Sequence, residues 1–255
     1  MTDTHHAVLS KLPALTFAFW IMKIAATTLG ETAGDLLSMT LNVGYLVSTI
    51  ILMSGFLIVL VGQLSAKRYH PFLYWAVILA TSTAGTTMSD FMNRTLGLGY
   101  ATGSLLLASG LAGILLAWRL VEGSLSVSTI RTTRAETFYW AAILLSNTLG
   151  TALGDFLADD SGLGFLGGAG VIGCLLLAVL LAYRFTAVSH VALFWVAFVL
   201  TRPFGATFGD LLTKPVEKGG MNLGTVGASA VLATILAASI AWTSRMRVAA
   251  ADSRA

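Results

Sequence analysis

The chain has 255 residues, 56% of them hydrophobic and only 11% charged, with a net charge of +3 at pH 7. Soluble domains carry about a quarter charged residues. The composition therefore places the chain in a bilayer, and the basic surplus sits at helix ends next to lipid, which speaks against nucleic-acid binding. The only cysteine, Cys174, lies mid-helix, which excludes an internal disulfide and a thiolate-based metal cluster.

The tail Met1 to Leu12 is too short to bury a core. It also lacks the charged lead, short apolar run and small-residue cleavage site of a signal peptide, so none is expected. Apolar stretches of about 20 residues, enough to span, then recur along the chain. The first expected helix, 14–37, carries Phe19-Trp20 near its start and Asp35 near its end, and a return helix over 43–64 opens at Gly44. A helix over 71–93 repeats the pattern with Tyr74-Trp75 and Asp90, followed by 98–118 from Gly99. The polar stretch Val121 to Glu136 is the longest connection and divides 1–120 from 136–255 as two four-helix halves. Helices over 137–158, with Tyr139-Trp140 and Asp155, and 163–184, from Gly164, make the third hairpin. Helices over 191–212, with Phe194-Trp195 and Asp210, and 223–243, from Gly224, make the fourth.

The register of this repeat is strict. Ten residues after Trp20, Trp75, Trp140 and Trp195 stand Gly30, Gly85, Gly150 and Gly205. Fourteen after stand Gly34, Ser89, Gly154 and Gly209, and fifteen after stand Asp35, Asp90, Asp155 and Asp210. The gap from the aspartate to the glycine that opens the second helix is constant in the first three copies and longer in the fourth, by five residues inserted around Lys214, Pro215 and Lys218. The expected fold is all-α: one membrane domain over 1–255, with repeats 14–64, 71–118, 137–184 and 191–243 and eight transmembrane helices. Two spans per copy make the repeats parallel, related by a pseudo-symmetry axis along the membrane normal.

Basic residues set the orientation. Lys11, Lys67, Arg68, Arg119, Arg131, Arg134, Arg184, Arg245, Arg247 and Arg254 share the side of the termini with His5, His6, His70 and His190. The opposite loops hold Arg94, Lys214 and Lys218, with Asp159 and Asp160. The positive-inside rule places both termini in the cytoplasm.

These tryptophan, glycine and aspartate positions resemble a family of bacterial membrane proteins made of four tandem copies of a two-span repeat of unknown function. The resemblance covers nearly the whole chain. It implies topology and a bacterial inner-membrane setting, and no activity. The fourth copy departs most, with Arg202-Pro203 where the others have Thr27-Thr28, Ser82-Thr83 and Asn147-Thr148.

If the tryptophans are interfacial anchors, helix rise puts the glycines about 15 Å and the aspartates about 22 Å deeper. A carboxylate at that depth costs several kcal/mol unless paired or wet, and marks a functional hypothesis. The pairs Gly30/Gly34, Gly85/Ser89, Gly150/Gly154 and Gly205/Gly209 are small-xxx-small packing motifs. Each aspartate flanks such a seam, with Thr28, Thr83 and Thr148, and also Thr27, Ser82 and Asn147, on earlier turns. Carboxylate, hydroxyl and carbonyl oxygens suit hard divalent cations, so Asp35, Asp90, Asp155 and Asp210 are the candidate metal ligands. Lys23, Glu31 and Arg202 break the symmetry. Copies one and four share Gly-Asp-Leu-Leu and the asparagines Asn42 and Asn222, so the copies form an outer and an inner pair. Lys23 and Arg202 are expected either to neutralise nearby aspartates and tighten the bundle, Lys23 lying close enough to the inner interface to snorkel, or to act as an exchange switch that releases an aspartate when a cation or proton arrives.

Two readings follow. The first is a transporter of a small cation, above all a divalent metal such as manganese or a proton-coupled metal, through an axial path lined by the four aspartates, with Glu31, Thr28, Thr83, Thr148 and Arg202 as further candidate ion-binding residues. The second is a non-transporting scaffold or partner-binding protein whose aspartates are structural. An intramembrane enzyme is weaker, because no histidine dyad, serine nucleophile or metal-ligand motif accompanies the aspartates. No cofactor is expected, and the expected partners are lipid and the small cation.

Overall fold

The computed structural model describes residues 12–13 and 15–252, which form helices and connections, with no strand among them. Lys11, Arg254, His5, His6 and Ala14, the expected start of the first helix, lie outside the described residues, as does the side chain of Arg247. Eight helices follow in order: α1 (Phe17–Asp35), α2 (Tyr45–Ser65), α3 (Pro71–Asp90), α4 (Tyr100–Glu122), α5 (Thr133–Asp155), α6 (Gly164–Phe185), α7 (His190–Thr213) and α8 (Thr225–Asp252). The starts carry helix-initiating chemistry. Thr16, Thr132 and Ser189 accept the backbone N–H three residues on, and Pro71 sits at the first turn of α3. Three ends differ most from expectation, the first being that of α4, which runs on to Glu122 instead of stopping at 118. α5 begins at Thr133 because Thr132 caps it, and α8 runs past residue 243 because its Arg-, Met- and Ala-rich tail favours helix.

In the first three copies the helix passes through its aspartate into a five-residue π-helical turn: Leu36–Thr40, Phe91–Thr95 and Phe156–Asp160. The fourth has none. α7 continues to Thr213, and the inserted residues fold into a 3₁₀ turn, Val216–Lys218. That loop is stitched back on itself, the Asn222 N–H donating to the Lys214 carbonyl (3.0 Å) and the Leu223 N–H to the Leu212 carbonyl (2.9 Å).

The helices form two concentric layers. α1, α3, α5 and α7 pack in a closed ring, α1 against α3, α3 against α5, α5 against α7 and α7 against α1. Outside it, α2 lies on α3, α4 on α5, α6 on α7 and α8 on α1, so each return helix covers the first helix of the next copy. The outer layer leaves large apolar residues such as Ile58, Leu105, Leu166 and Val231 exposed. A continuous apolar exterior of this kind suits lipid rather than water. Six helices, α2 and α4 to α8, are long and apolar enough to cross a membrane. α1 and α3 fall short of that composition because polar residues crowd them, Lys23, Thr27, Glu31 and Thr32 in one and Thr81, Ser82, Thr86 and Thr87 in the other.

Candidate functional site

The repeat spacing builds the inner ring by one rule applied four times. A Cβ added at Gly30 would strike Ser82, at Gly85 the backbone around Asn147 and Thr148 (3.0 Å to the Thr148 nitrogen), at Gly150 Arg202, and at Gly205 Thr27. The glycine of each copy thus receives the residue seven after the tryptophan of the next copy, and the fourth closes onto the first. Gly34 faces Thr86, Gly154 faces Ala206 and Gly209 faces Glu31 in the same sense, one turn on. Such close approach lets the polar residues of adjacent helices share one axial column.

At the end nearer the termini the column is closed by aromatic rings in the same cyclic order. Phe19 meets Trp75, Tyr74 meets Trp140, Tyr139 meets Trp195 and Phe194 meets Trp20, at 5.6, 5.5, 6.4 and 5.9 Å between centroids. The Tyr74 and Tyr139 hydroxyls are 2.7 Å apart. Trp75, Trp140 and Trp195 are buried. The expectation of interfacial anchors is corrected here for these three, which plug the bundle because each packs against an aromatic ring of the preceding first helix, whereas Trp20 is half-buried.

Above the plug lies a column of buried charge. Lys23 is fully buried, with its Nζ 4.1 Å from the centre of the Phe198 ring and 3.5 Å from Asn147 Oδ1. It does not snorkel, and no ion pair joins it to an aspartate among the described residues. The physical reason is its place on the axial face of α1, walled in by α5 and α7. Arg202, also fully buried, pairs with Glu31 at 2.9 Å rather than with an aspartate. The same guanidinium nitrogen donates to Thr151 Oγ1 (2.7 Å), Thr86 Oγ1 and the Ser82 carbonyl (3.4 Å). One arginine from α7 therefore ties α1, α3 and α5 together across the axis.

The four aspartates form two pairs at the far end, each bridged by a base. Arg94 lies 3.0 Å from Asp90 and 3.3 Å from Asp155. Lys214 binds Asp35 and lies 3.2 Å from Asp210. All four carboxylates are buried, whereas the side chains of Arg94 and Lys214 are 30% and 17% exposed, so water meets the bases first. Burial pulls the Lys214 ammonium down, but Asp210 and Asp35 outweigh it and hold it above the ordinary lysine value. Oxygens of Glu31, Asp35 and Asp210 all lie within 4.8 Å of one another, close enough to share a cation.

Of the residues singled out in the sequence, Asp35, Asp210, Glu31 and Arg202 come together, and Asp90 and Asp155 meet around a separate base. Thr28, Thr83 and Thr148 turn back to carbonyls of their own helices, at Ile24, Leu79 and Leu144. The hydroxyls that reach the axis belong to Thr86 and Thr151, in register with Glu31. Sequence reasoning missed these two and the bridging roles of Arg94 and Lys214. A signal existed for the bases: each stands four residues after its own aspartate, one helical turn away, where the other two copies have Met39 and Asp159.

A family model described as a Repeat of Unknown Function (DUF347) matches residues 18–69, 73–124, 138–189 and 193–248. The chain belongs to this family. The four DUF347 repeats coincide with the four helix pairs, each match starting at or just before its tryptophan. No curated protein and no solved structure matches the chain.

Proposed function

We propose that this DUF347 protein is a multi-pass carrier of a small cation in the bacterial inner membrane, with eight spans, both termini cytoplasmic and no enzymatic activity. α1 and α3 cross with the rest, because each is enclosed between two inner neighbours and an outer helix and turns its polar face to the axis. The observation that carries the reading is the convergence of Glu31, Asp35 and Asp210 beneath a base that touches water. The column supports it by charge. Five carboxylates (Glu31 and the four aspartates) share three paired bases (Arg94, Arg202 and Lys214), so the acidic groups outnumber the bases that hold them. The aromatic plug and the Arg202–Glu31 pair close the axis below, so passage requires a second conformation, as in a carrier rather than an open pore.

Uptake of manganese, magnesium and calcium into cells expressing wild type or the Asp35→Asn, Asp210→Asn double variant tests this. Uptake of at least one metal is expected to fall to background in the variant, and equal accumulation across the panel sinks the proposal. The scaffold reading has one observation in its favour: each aspartate already has a basic partner inside the bundle. It predicts instead that the double variant melts earlier with unchanged flux.

A further inference from the structure

We infer that Lys214 is a tethered counter-ion, which occupies the Glu31–Asp35–Asp210 site and vacates it when a divalent cation binds. The inference rests on the cation-carrier reading and names the regulation and substrate class of that site. Its basis is the contrast between the two bridging bases, which hold equivalent places in copies two and four.

Arg94 is locked. Its guanidinium spans Asp90 and Asp155, donates to the Tyr45 hydroxyl (3.3 Å) and lies 5.9 and 5.7 Å from the Tyr45 and Tyr100 rings. A planar, always charged group held by two carboxylates and two aromatic faces has little reason to leave. Lys214 carries a compact ammonium on a flexible stem, and beyond the carboxylates it contacts the Met39 sulfur at 3.8 Å. Thr225 stands in register with Tyr45 and Tyr100, and its hydroxyl is engaged with Thr40 (2.8 Å). The backbone at 214 is nevertheless fixed. Its N–H donates to the Asp210 carbonyl (2.9 Å), its carbonyl accepts from Asn222, and Gly220 packs so close to that carbonyl that a Cβ would collide with it. The lysine can therefore swing out toward water by side-chain rotation alone, on an anchor that returns it.

Charge selects the occupant. Arg202 already neutralises Glu31, so Asp35 and Asp210 present two negative charges once Lys214 has left. One divalent cation balances them, and a monovalent cation leaves one charge buried, which is costly. Three carboxylate oxygens within 4.8 Å of one another also match the span across a hard cation with oxygen ligands at about 2.0–2.6 Å. A resident ammonium lowers apparent affinity by the fraction of time that it is away. Copies two and three lack this exchange, so the molecule has one loadable outer seat, in the half formed by copies one and four.

The test is Mn²⁺ binding to the purified full chain in detergent, read from the loss of the free-ion EPR signal. Lys214→Gln is expected to bind Mn²⁺ about tenfold tighter than wild type or more, and Lys214→Arg to bind it more weakly. Equal affinity in wild type and both variants overturns the tether and leaves the cation site standing. Absence of binding in wild type and in Lys214→Gln alike overturns the site and the tether together. Displacement of Mn²⁺ from Lys214→Gln by equimolar Na⁺ overturns the divalent assignment. If Lys214→Gln does not fold, Lys214→Arg decides: weaker binding supports the tether and unchanged binding overturns it.

Discussion

Arg202 stands where the other three copies place Thr27, Ser82 and Asn147, and it is the side chain on which the polar core turns. Its charge is buried, paired with Glu31 and shared with hydroxyls from two further helices. Removing one partner of a buried ion pair typically costs about 3–5 kcal/mol, because the other charge is left uncompensated. Replacing both by apolar groups is often close to neutral. Arg202→Met and Glu31→Met alone should therefore lower thermal stability strongly, and the double variant should regain most of it, measured by melting in detergent. Additive losses in the double variant would mean that the pair is not a unit. From sequence, Arg202 read as a partner for an aspartate. Glu31 was visible as a carboxylate found in no other copy, but its position opposite Arg202 depends on the closure of α7 onto α1, which no local pattern encodes.

Among the elements, the turns after the aspartates explain a pairing seen in the sequence. Copies one and four carry Asn42 and Asn222 where copies two and three have Gly97 and Gly162. All four are left-handed, with φ of 55°, 54°, 70° and 74°. Asparagine and glycine are the residues that tolerate this backbone, so the alternation records one conformation met in two ways. Asn42→Gly should leave the melting temperature within a degree or so of wild type, whereas Asn42→Val should cost about 1–2 kcal/mol. Equal tolerance of both would show that the turn adopts another backbone in the membrane. Helix positions were legible because long apolar runs and tryptophan spacing repeat. The π-helical turns were not, since they arise where a helix must reverse within a few residues beneath its aspartate.

For the molecule as a whole, the closed ring makes a topological prediction. In a Cys174→Ser background, single cysteines at Ser161 and Gly219 should react with a membrane-impermeant maleimide added to intact cells. Cysteines at Ala66 and Ser124 should react only after the membrane is opened. The reverse pattern would invert the orientation, and labelling of all four sites from outside would break the eight-span reading. By itself the sequence determined the count of helices and their pairing into four DUF347 repeats, because periodicity and spacing are properties of the chain read in order. Tertiary structure alone decided how the aspartates divide. Four equivalent positions suggested one ring of ligands, yet two bases, each one turn beyond its own aspartate, reach across to a neighbouring copy and draw the carboxylates into pairs. Which carboxylates share a base depends on which helices touch, and the α7–α1 contact that joins the end of the chain to its beginning is made only when the ring closes.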